Sequence, residues 1–411
     1  MLVKPAGPDC NLACEYCFYT PKKALYPQSK KHRMSRQVAE EMIRQYMTVS
    51  PQAATFAWQG GEPTLMGLDF FRLVVALQIK HGGAGQVVAN ALQTNGTLID
   101  EEWVRFLRRY RFLVGISIDG PAEVHDKWRV DHGGGPTLDK VLKGVRVLQA
   151  EGVEYNALVM LTSHSADKAG LVWEFLREQG IDFFQFIPCL ERDAESGEMS
   201  EYSVTPEQYG EFMCEIFDLW SRSASSGPAA SSERHPHPFD SPLPEGEGTA
   251  ADSGWKPEPR DGGECPETYV RLFNDLVEVY AGGEGPSCML KERCGEYVVI
   301  EHNGDVYACD FFVDREHCVG NLLKTPLAEI VASEKLEEFA LAKGNVGPEC
   351  ESCRWWQQCF GGCPKDRIYG AGRTDCASYL CAGYKMVFEH ADVRLKELAE
   401  QYKQERGQCE V

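Results

Sequence analysis

Apolar and polar positions repeat along the first half of the chain as short apolar runs alternating with amphipathic stretches. Ser35 precedes a segment in which Val38, Met42, Ile43 and Tyr46 share one helical face, which predicts a helix from Ser35 to about Met47. Further helices are expected over 68–80, 101–110, 138–150 and 168–179, and strands over 54–58, 86–93, 112–118, 153–161 and 182–187. With the residues before Cys10 as a first strand, this makes about six β–α repeats. Strands that alternate with helices imply a parallel sheet with right-handed crossovers, whose ligands sit at the carboxyl ends of the strands.

The second half reads differently. A helix is expected over 205–220, with Pro206 in its first turn. Residues 221–262 are rich in Ser, Ala, Pro, Gly and Glu, and too poor in apolar surface to offset their ordering entropy, so a disordered insertion is expected. A helix over 265–280 places Val270, Phe273, Leu276 and Val277 on one face. Residues 296–301 and 305–309 alternate around Asn303-Gly304, a hairpin signal. Helices are expected over 336–342 and, as a charged amphipathic segment, 384–404.

Composition narrows the function. The net charge of −20 argues against nucleic acid as a bulk partner, because phosphate binding needs a basic face. A local exception, Lys22, Lys23, Lys30, Lys31, Arg33 and Arg36, reads as a solvated loop or as a rim over an anionic substrate. Neither a signal-like apolar run at Met1–Pro5 nor a bilayer-length segment is seen, so a cytoplasmic chain with no membrane partner is expected. There the 17 cysteines read as metal ligands rather than disulfides.

Cys10, Cys14 and Cys17 stand at C-x3-C-x2-C spacing, with Tyr16 between the last two and Phe18 and Tyr19 after them. Three thiolates on a cubane iron–sulfur cluster leave one iron open, and an open site is where a metal centre does chemistry. The same spacing suits a zinc knuckle with a fourth ligand from elsewhere. The turn Gly60-Gly61-Glu62-Pro63 follows the next strand, and its glycines let backbone approach a bound zwitterion. Towards the C-terminus, Cys288, Cys294, Cys309, Cys350, Cys353, Cys359, Cys363 and Cys381 make eight candidate thiolates. Eight ligands fit two fully coordinated four-iron clusters, or a pair of structural zincs.

The cysteine loop with its following Gly-Gly turn resembles the signature of radical S-adenosylmethionine (SAM) enzymes, and the C-terminal cysteines resemble the SPASM domain of peptide-modifying members. Lys4-Pro5, Trp58–Pro63, Gln93–Thr97, Ser117–Pro121 and Asn303–Phe312 resemble the anaerobic sulfatase-maturating, formylglycine-generating family in particular. The resemblance implies an α/β fold: a partial (β/α)6 radical SAM barrel with a C-terminal cysteine-rich SPASM domain, in which a β-hairpin, loops and helices surround two clusters. The expected division is a radical SAM core at 1–220, the insertion at 221–262, a linking helix at 263–286, the SPASM domain at 287–382 and a C-terminal helix at 383–411.

By the same resemblance the cofactors are three [4Fe-4S] clusters and SAM. Cys10, Cys14 and Cys17 would hold the first cluster. Cys288, Cys294, Cys309 and Cys363 would hold the second, and Cys350, Cys353, Cys359 and Cys381 the third. SAM contacts map to Tyr16, Gly61, Ser117, Arg129 and Leu190, and the catalytic base to Asp310. The implied reaction splits SAM into methionine and a 5′-deoxyadenosyl radical, which takes a hydrogen from Cβ of a cysteine or serine. Asp310 removes the thiol or hydroxyl proton, an auxiliary cluster accepts an electron, and Cα-formylglycine results. The implied partners are an unfolded sulfatase segment or peptide of the form Cys/Ser-x-Pro/Ala-x-Arg and an external one-electron donor. Rival readings are another SPASM enzyme that makes a thioether or other side-chain crosslink in a small peptide, and an Fe–S electron-transfer or zinc-scaffold module. Cys189, Cys214, Cys265, Cys318, Cys376 and Cys409 are left over and read as buried or incidental thiols.

Overall fold

The computed structural model describes residues 1–193, 196–224, 268–373 and 375–409. Its strands are β1 Leu2–Lys4, β2 Ala53–Trp58, β3 Val87–Thr94, β4 Leu113–Ser117, β5 Tyr155–Leu161, β6 Phe183–Pro188, β7 Tyr269–Val270, β8 Val299–Glu301, β9 Asp305–Tyr307 and β10 Cys318–Asn321. Among the described residues they form one ten-stranded sheet, ordered β10-β9-β8-β1-β2-β3-β4-β5-β6-β7. Pairing is parallel from β8 across β1 to β7, and antiparallel for β8–β9 and β9–β10. β7 and β10 are edges, so the barrel is open.

The helices of the barrel half are α1 Arg36–Val49, α2 Leu68–His81, α3 Glu101–Arg109, α4 Ala122–Trp128, α5 Leu138–Ala150, α6 Ala169–Glu178, α7 Pro206–Ala224 and α8 Arg271–Tyr280. Their starts follow from local chemistry. Ser35 Oγ accepts from Val38 N at 3.2 Å, and Asp100 accepts from the amides of Glu102 and Trp103 at 3.0 Å each. Each such cap contributes about 1 kcal/mol. In α3, Glu101 and Glu102 in the first turn and Arg108 and Arg109 in the last suit the helix dipole. Apolar faces of these helices close over the sheet, with Phe56, Trp58, Phe71, Leu92, Val114 and Ile116 fully buried. The polar edge of Trp58 is satisfied inside this core, its Nε1 donating to Asn90 Oδ1 at 2.8 Å.

Beyond the hairpin come α9 Leu327–Val331, α10 Glu334–Leu341, α11 Pro348–Glu351, α12 Trp356–Cys359, α13 Pro364–Ala371 and α14 Cys381–Cys409. α14 lies against α7 and α8, burying Tyr384, Val387, Phe388, Ala391, Leu395 and Ala399. Gly210 and Gly383 let α7 and α14 approach: a Cβ on Gly210 would stand 2.7 Å from the Met386 sulfur and 3.1 Å from the Gly383 Cα.

The structure differs from the sequence-based expectation in several places, and β10, α9, α11, α12 and α13 were not expected. α4 was not expected, because its seven residues follow Pro121 with no side-chain cap. The helix expected over 265–280 begins only at Arg271, since Tyr269 and Val270 pair with Phe183 and Phe184 as a strand. α7 runs on to Ala224, past the expected start of the insertion, and the rest of 221–262 lies outside the described residues. The last helix starts at Cys381 rather than Tyr384. The predicted hairpin forms, and it extends the barrel sheet: β8 pairs with β1 in the register Leu2–Val299, Val3–Ile300, Lys4–Glu301.

Candidate active site

The loop after β1 carries Cys10, Cys14 and Cys17, and the turns after β2 and β3 hold it. Gly61 N donates to Gly7 O and Glu62 N to Asp9 O, both at 2.8 Å. Gly60 has φ +126, and any Cβ on Gly61 would collide with the Asp9 carbonyl, so this turn needs its glycines. Glu62, wholly buried, accepts from Thr64 N at 2.9 Å, Thr64 Oγ1 at 2.6 Å, Thr94 Oγ1 at 2.7 Å and Asn95 N at 2.8 Å. Burial still pushes its carboxyl up against those bonds. Asn95 Nδ2 reaches Asn11 Oδ1 at 2.8 Å and Cys10 Sγ at 3.8 Å, tying the second turn to the cysteine loop.

Burial, then Glu62, then Cys14 and Cys17 push the Cys10 thiol up to about 12. Cys14 is pushed up to about 11, mainly by burial, with Arg129 opposing and Cys17 adding to the rise. Thiols raised by burial and by one another ionise when a cation joins them, which is the condition for a bound metal centre.

Around this loop the expected SAM contacts gather at the ends of three strands. Ser117 ends β4, Arg129 follows α4 and Leu190 follows β6. Asp119, buried, ties Arg129 to Tyr16. It accepts from Arg129 Nε at 2.8 Å and Nη2 at 3.0 Å, from Tyr16 OH at 2.6 Å and from Met160 N at 2.9 Å. Burial raises the Asp119 carboxyl, but the Arg129 charge, with His125 and the Tyr16 hydroxyl, outweighs it and holds the group below 3.8. Tyr16, Trp128 and Cys189 form a small buried cluster with Cys14 at its edge. The indole N–H of Trp128 is buried there without a partner, a donor left beside Tyr16.

Asp310 stands just after β9 and faces the cysteine loop. Lys4 ion-pairs with its Oδ1, and Gln59 Nε2 donates to its Oδ2 at 3.1 Å. The Lys4 ammonium also lies 3.8 Å from the centre of the Tyr19 ring, whose hydroxyl bonds Glu301. Phe18, next to Cys17, packs on Phe311, next to Asp310, with ring centres 5.2 Å apart. Thus the expected base and the open-site cysteines sit on two segments that touch.

The eight C-terminal cysteines fall into two neighbourhoods. Cys288 and Cys294 act on Cys309, and Cys309 and Cys288 act on Cys363, each after the larger effect of burial. Cys350, Cys353, Cys359 and Cys381 line one apolar cavity with Trp355 and Trp356. Two four-thiolate clusters would need two such sets of four, whereas the N-terminal loop offers three thiols.

Of the basic segment, Lys23, Lys30, Lys31 and Arg36 are exposed and Arg33 bonds Asp9 at 2.7 Å, so most of it is a solvated loop. Lys22 is the exception: burial lowers its ammonium, while Asp314, Glu191 and Asp310 favour its charge. Among the leftover thiols Cys189 and Cys376 are buried, Cys214 and Cys318 are half-buried, and Cys265 lies outside the described residues. Sequence reasoning assigned no role to Lys4, Gln59, Asp119, Lys343 or Arg367. The signal for the first three was present, since each adjoins or lies in a motif at a strand end.

A Radical SAM superfamily pattern matches residues 5–169, and an iron–sulfur cluster-binding (SPASM) domain matches residues 288–354. A radical SAM barrel joined to a cluster-binding domain is therefore the class that fold and site define. The chain is 33% identical over 423 residues to the serine-type anaerobic sulfatase-maturating enzyme of Bacteroides thetaiotaomicron, covering 98% of this chain and 92% of that one. It is 33% identical over 403 residues to the cysteine-type enzyme of Clostridium perfringens, covering 98% and 99%. The chain belongs to the family of anaerobic sulfatase-maturating enzymes. Its fold is similar to native anSMEcpe solved with AdoMet and the Cp18Cys peptide, with a TM-score of 0.82 and 33% identity over 98% of each chain. Streptococcus suis SuiB bound to S-adenosylmethionine, 16% identical with a TM-score of 0.58 over 92% of this chain and 76% of that one, shares the fold alone. Among the described residues no helix is long and apolar enough to cross a membrane.

Proposed function

We propose that this chain oxidises a cysteine or serine side chain in an unfolded sulfatase segment to Cα-formylglycine, using SAM and three [4Fe-4S] clusters. The observation that carries the reading is the contact of the cysteine loop with the Asp310 segment, in a chain of this family along nearly its whole length. When bound, SAM and the clusters supply the radical that takes hydrogen from Cβ and the acceptor for the remaining electron.

The chain's own residues do the rest. Cys10, Cys14 and Cys17 would hold the cluster with the open iron. The turn at Gly61 would offer backbone to the SAM ammonium group, and Arg129, held by Asp119, would meet its carboxylate together with Ser117. Tyr16 and Leu190 would bound the nucleoside. Cys288, Cys294, Cys309 and Cys363 would hold one auxiliary cluster, and Cys350, Cys353, Cys359 and Cys381 the other. Asp310 would take the thiol or hydroxyl proton. Its ion pair with Lys4 and its bond from Gln59 would hold the carboxylate in place beside the cysteine loop. Loss of one hydrogen atom, one proton and one electron turns serine into the aldehyde, and cysteine into a thioaldehyde that water hydrolyses. The substrate segment we assign is Cys/Ser-x-Pro/Ala-x-Arg, with an external one-electron donor, and we assign the reaction to the cytoplasm because thiol-rich sites suit a reducing compartment.

The test is anaerobic incubation of the iron-loaded chain with SAM, a reductant and two peptides that differ only in Cys or Ser at the target position. An aldehyde trapped by a hydrazine probe in either peptide is the expected result. Intact peptides, or a crosslinked product without aldehyde, would overturn the reading.

A further inference from the structure

Two cations lie fully buried among the C-terminal cysteines. Lys343 and Arg367 are each 0% exposed. Lys343 Nζ donates to the carbonyls of Cys288 at 2.7 Å and Met289 at 3.2 Å, and to that of Lys291. Arg367 Nη1 donates to the Lys343 carbonyl at 2.8 Å, which couples the two. Its Nε bonds Gly361 O at 3.0 Å, and its Nη2 bonds Phe360 O at 3.1 Å and Gly362 O at 3.4 Å.

Phe360, Gly361 and Gly362 are the three residues between Cys359 and Cys363, so they bridge the two cysteine sets. All three are left-handed, with φ of 43°, 74° and 72°. Such a run is unfavourable for Phe360 and needs an external hold. Arg367 provides one, since a single guanidinium takes all three carbonyls. A Cβ on Gly361 would stand 2.6 Å from Arg367 Nη2, so the cation sits directly on this bridge.

A guanidinium keeps its charge at any working pH, and burial in a low-dielectric interior extends the reach of that charge. Four thiolates make each cluster anionic, and reduction adds one more negative charge. A fixed cation nearby favours the reduced form. Burial lowers both cations, but the thiols oppose it: Arg367 faces Cys350 of one set and Cys363 and Cys294 of the other, while Lys343, bonded to the Cys288 carbonyl, faces Cys294, Cys288 and Cys363 of one set and also acts on Cys359 of the other.

We propose that Arg367 and Lys343 are positioning residues that raise the reduction potentials of the auxiliary clusters, Arg367 for both and Lys343 most for the one held by Cys288, Cys294, Cys309 and Cys363. This rests on the reading of the eight cysteines as two cluster sets. It gives the chain a means to draw the substrate electron away from the Asp310 segment, because Cys309 adjoins Asp310 and the Phe360–Gly362 bridge leads to the second set.

The experiment is an anaerobic potentiometric titration of the full iron-loaded chain followed by electron paramagnetic resonance, with Cys10, Cys14 and Cys17 replaced by Ala so that only the auxiliary clusters report. Arg367→Gln should lower the reduced-to-oxidised ratio of both clusters at a fixed potential at least tenfold, about 59 mV for a one-electron couple. Arg367→Lys should restore most of it, and Lys343→Met should lower the cluster of Cys288, Cys294, Cys309 and Cys363 more than the other. Unchanged potentials in loaded Arg367→Gln would overturn the proposal. If Arg367→Gln does not load, Lys343→Met decides by whether the potential of the Cys288 set falls further than the other. Loss of clusters in all three variants would mark a structural clamp and overturn the proposal as well. A parent protein without two auxiliary signals would instead overturn the cluster reading itself.

Discussion

Lys4, at the end of β1, ion-pairs with Asp310, just beyond β9, across the seam where the hairpin joins the barrel sheet. Side-chain exposures of 1% and 13% place this pair away from bulk water. Asp310→Asn preserves shape and removes the base. Formylglycine formation should fall by about two to four orders of magnitude while 5′-deoxyadenosine formation and iron content persist. Near-normal aldehyde in this variant would remove Asp310 from the mechanism.

Lys4→Met should cost stability, because it strips the cation from Asp310 and from the face of the Tyr19 ring. Breaking a buried pair on one side costs about 3–5 kcal/mol. In the double variant with Asp310→Asn the carboxylate charge is gone, so the two losses should not add. Urea unfolding followed by circular dichroism measures all three proteins, and strictly additive losses would show that the two residues act separately.

Gly61→Ala should displace the cysteine loop, since its Cβ collides with the Asp9 carbonyl. SAM affinity, read by equilibrium dialysis, should weaken at least tenfold, at about 1.4 kcal/mol per decade. Gly83→Ala, whose Cβ would meet only Gln86 Oε1 at 3.9 Å, is the control and should bind as the parent does. Equal affinity in both variants would contradict the assignment of the turn to SAM.

Acid should loosen the barrel through His125. Burial pushes this imidazole down to about 4 from the usual 6.5, with Asp119 opposing. The unfolded chain therefore binds the proton first, and stability present above pH 6.5 is lost as the pH falls towards 4. At 1.36 kcal/mol per unit the loss is about 3 kcal/mol. Asp119, held below 3.8, adds a second loss that sets in only below that pH. His125→Gln should flatten the stability profile between pH 6.5 and 4 while leaving the drop below 3.8, and an unchanged profile would contradict the assignment.

Much of this was legible in the chain itself. The Ser35 cap and the apolar spacing of α5 mark their elements within a residue or two, because those signals are local. β7 was read as helix because Val270, Phe273, Leu276 and Val277 keep helical spacing, and only a distant partner, Phe183–Phe184, makes Tyr269 and Val270 a strand. The β1–β8 pairing is equally distant in sequence and left no periodic mark. Cysteine spacing marked the candidate ligands, but it could not mark the charges around them. Lys343 and Arg367 look like ordinary surface cations in the sequence, and only the fold wraps carbonyls about them.

The most direct test of the formylglycine assignment follows a Cβ-dideuterated cysteine in the Cys-x-Pro-x-Arg peptide. The peptide is incubated anaerobically with the loaded chain, SAM and reductant. The account predicts one deuterium carried into each 5′-deoxyadenosine, together with an equivalent amount of peptide aldehyde. Deuterium transfer with no aldehyde, or aldehyde with no deuterium in 5′-deoxyadenosine, would contradict it.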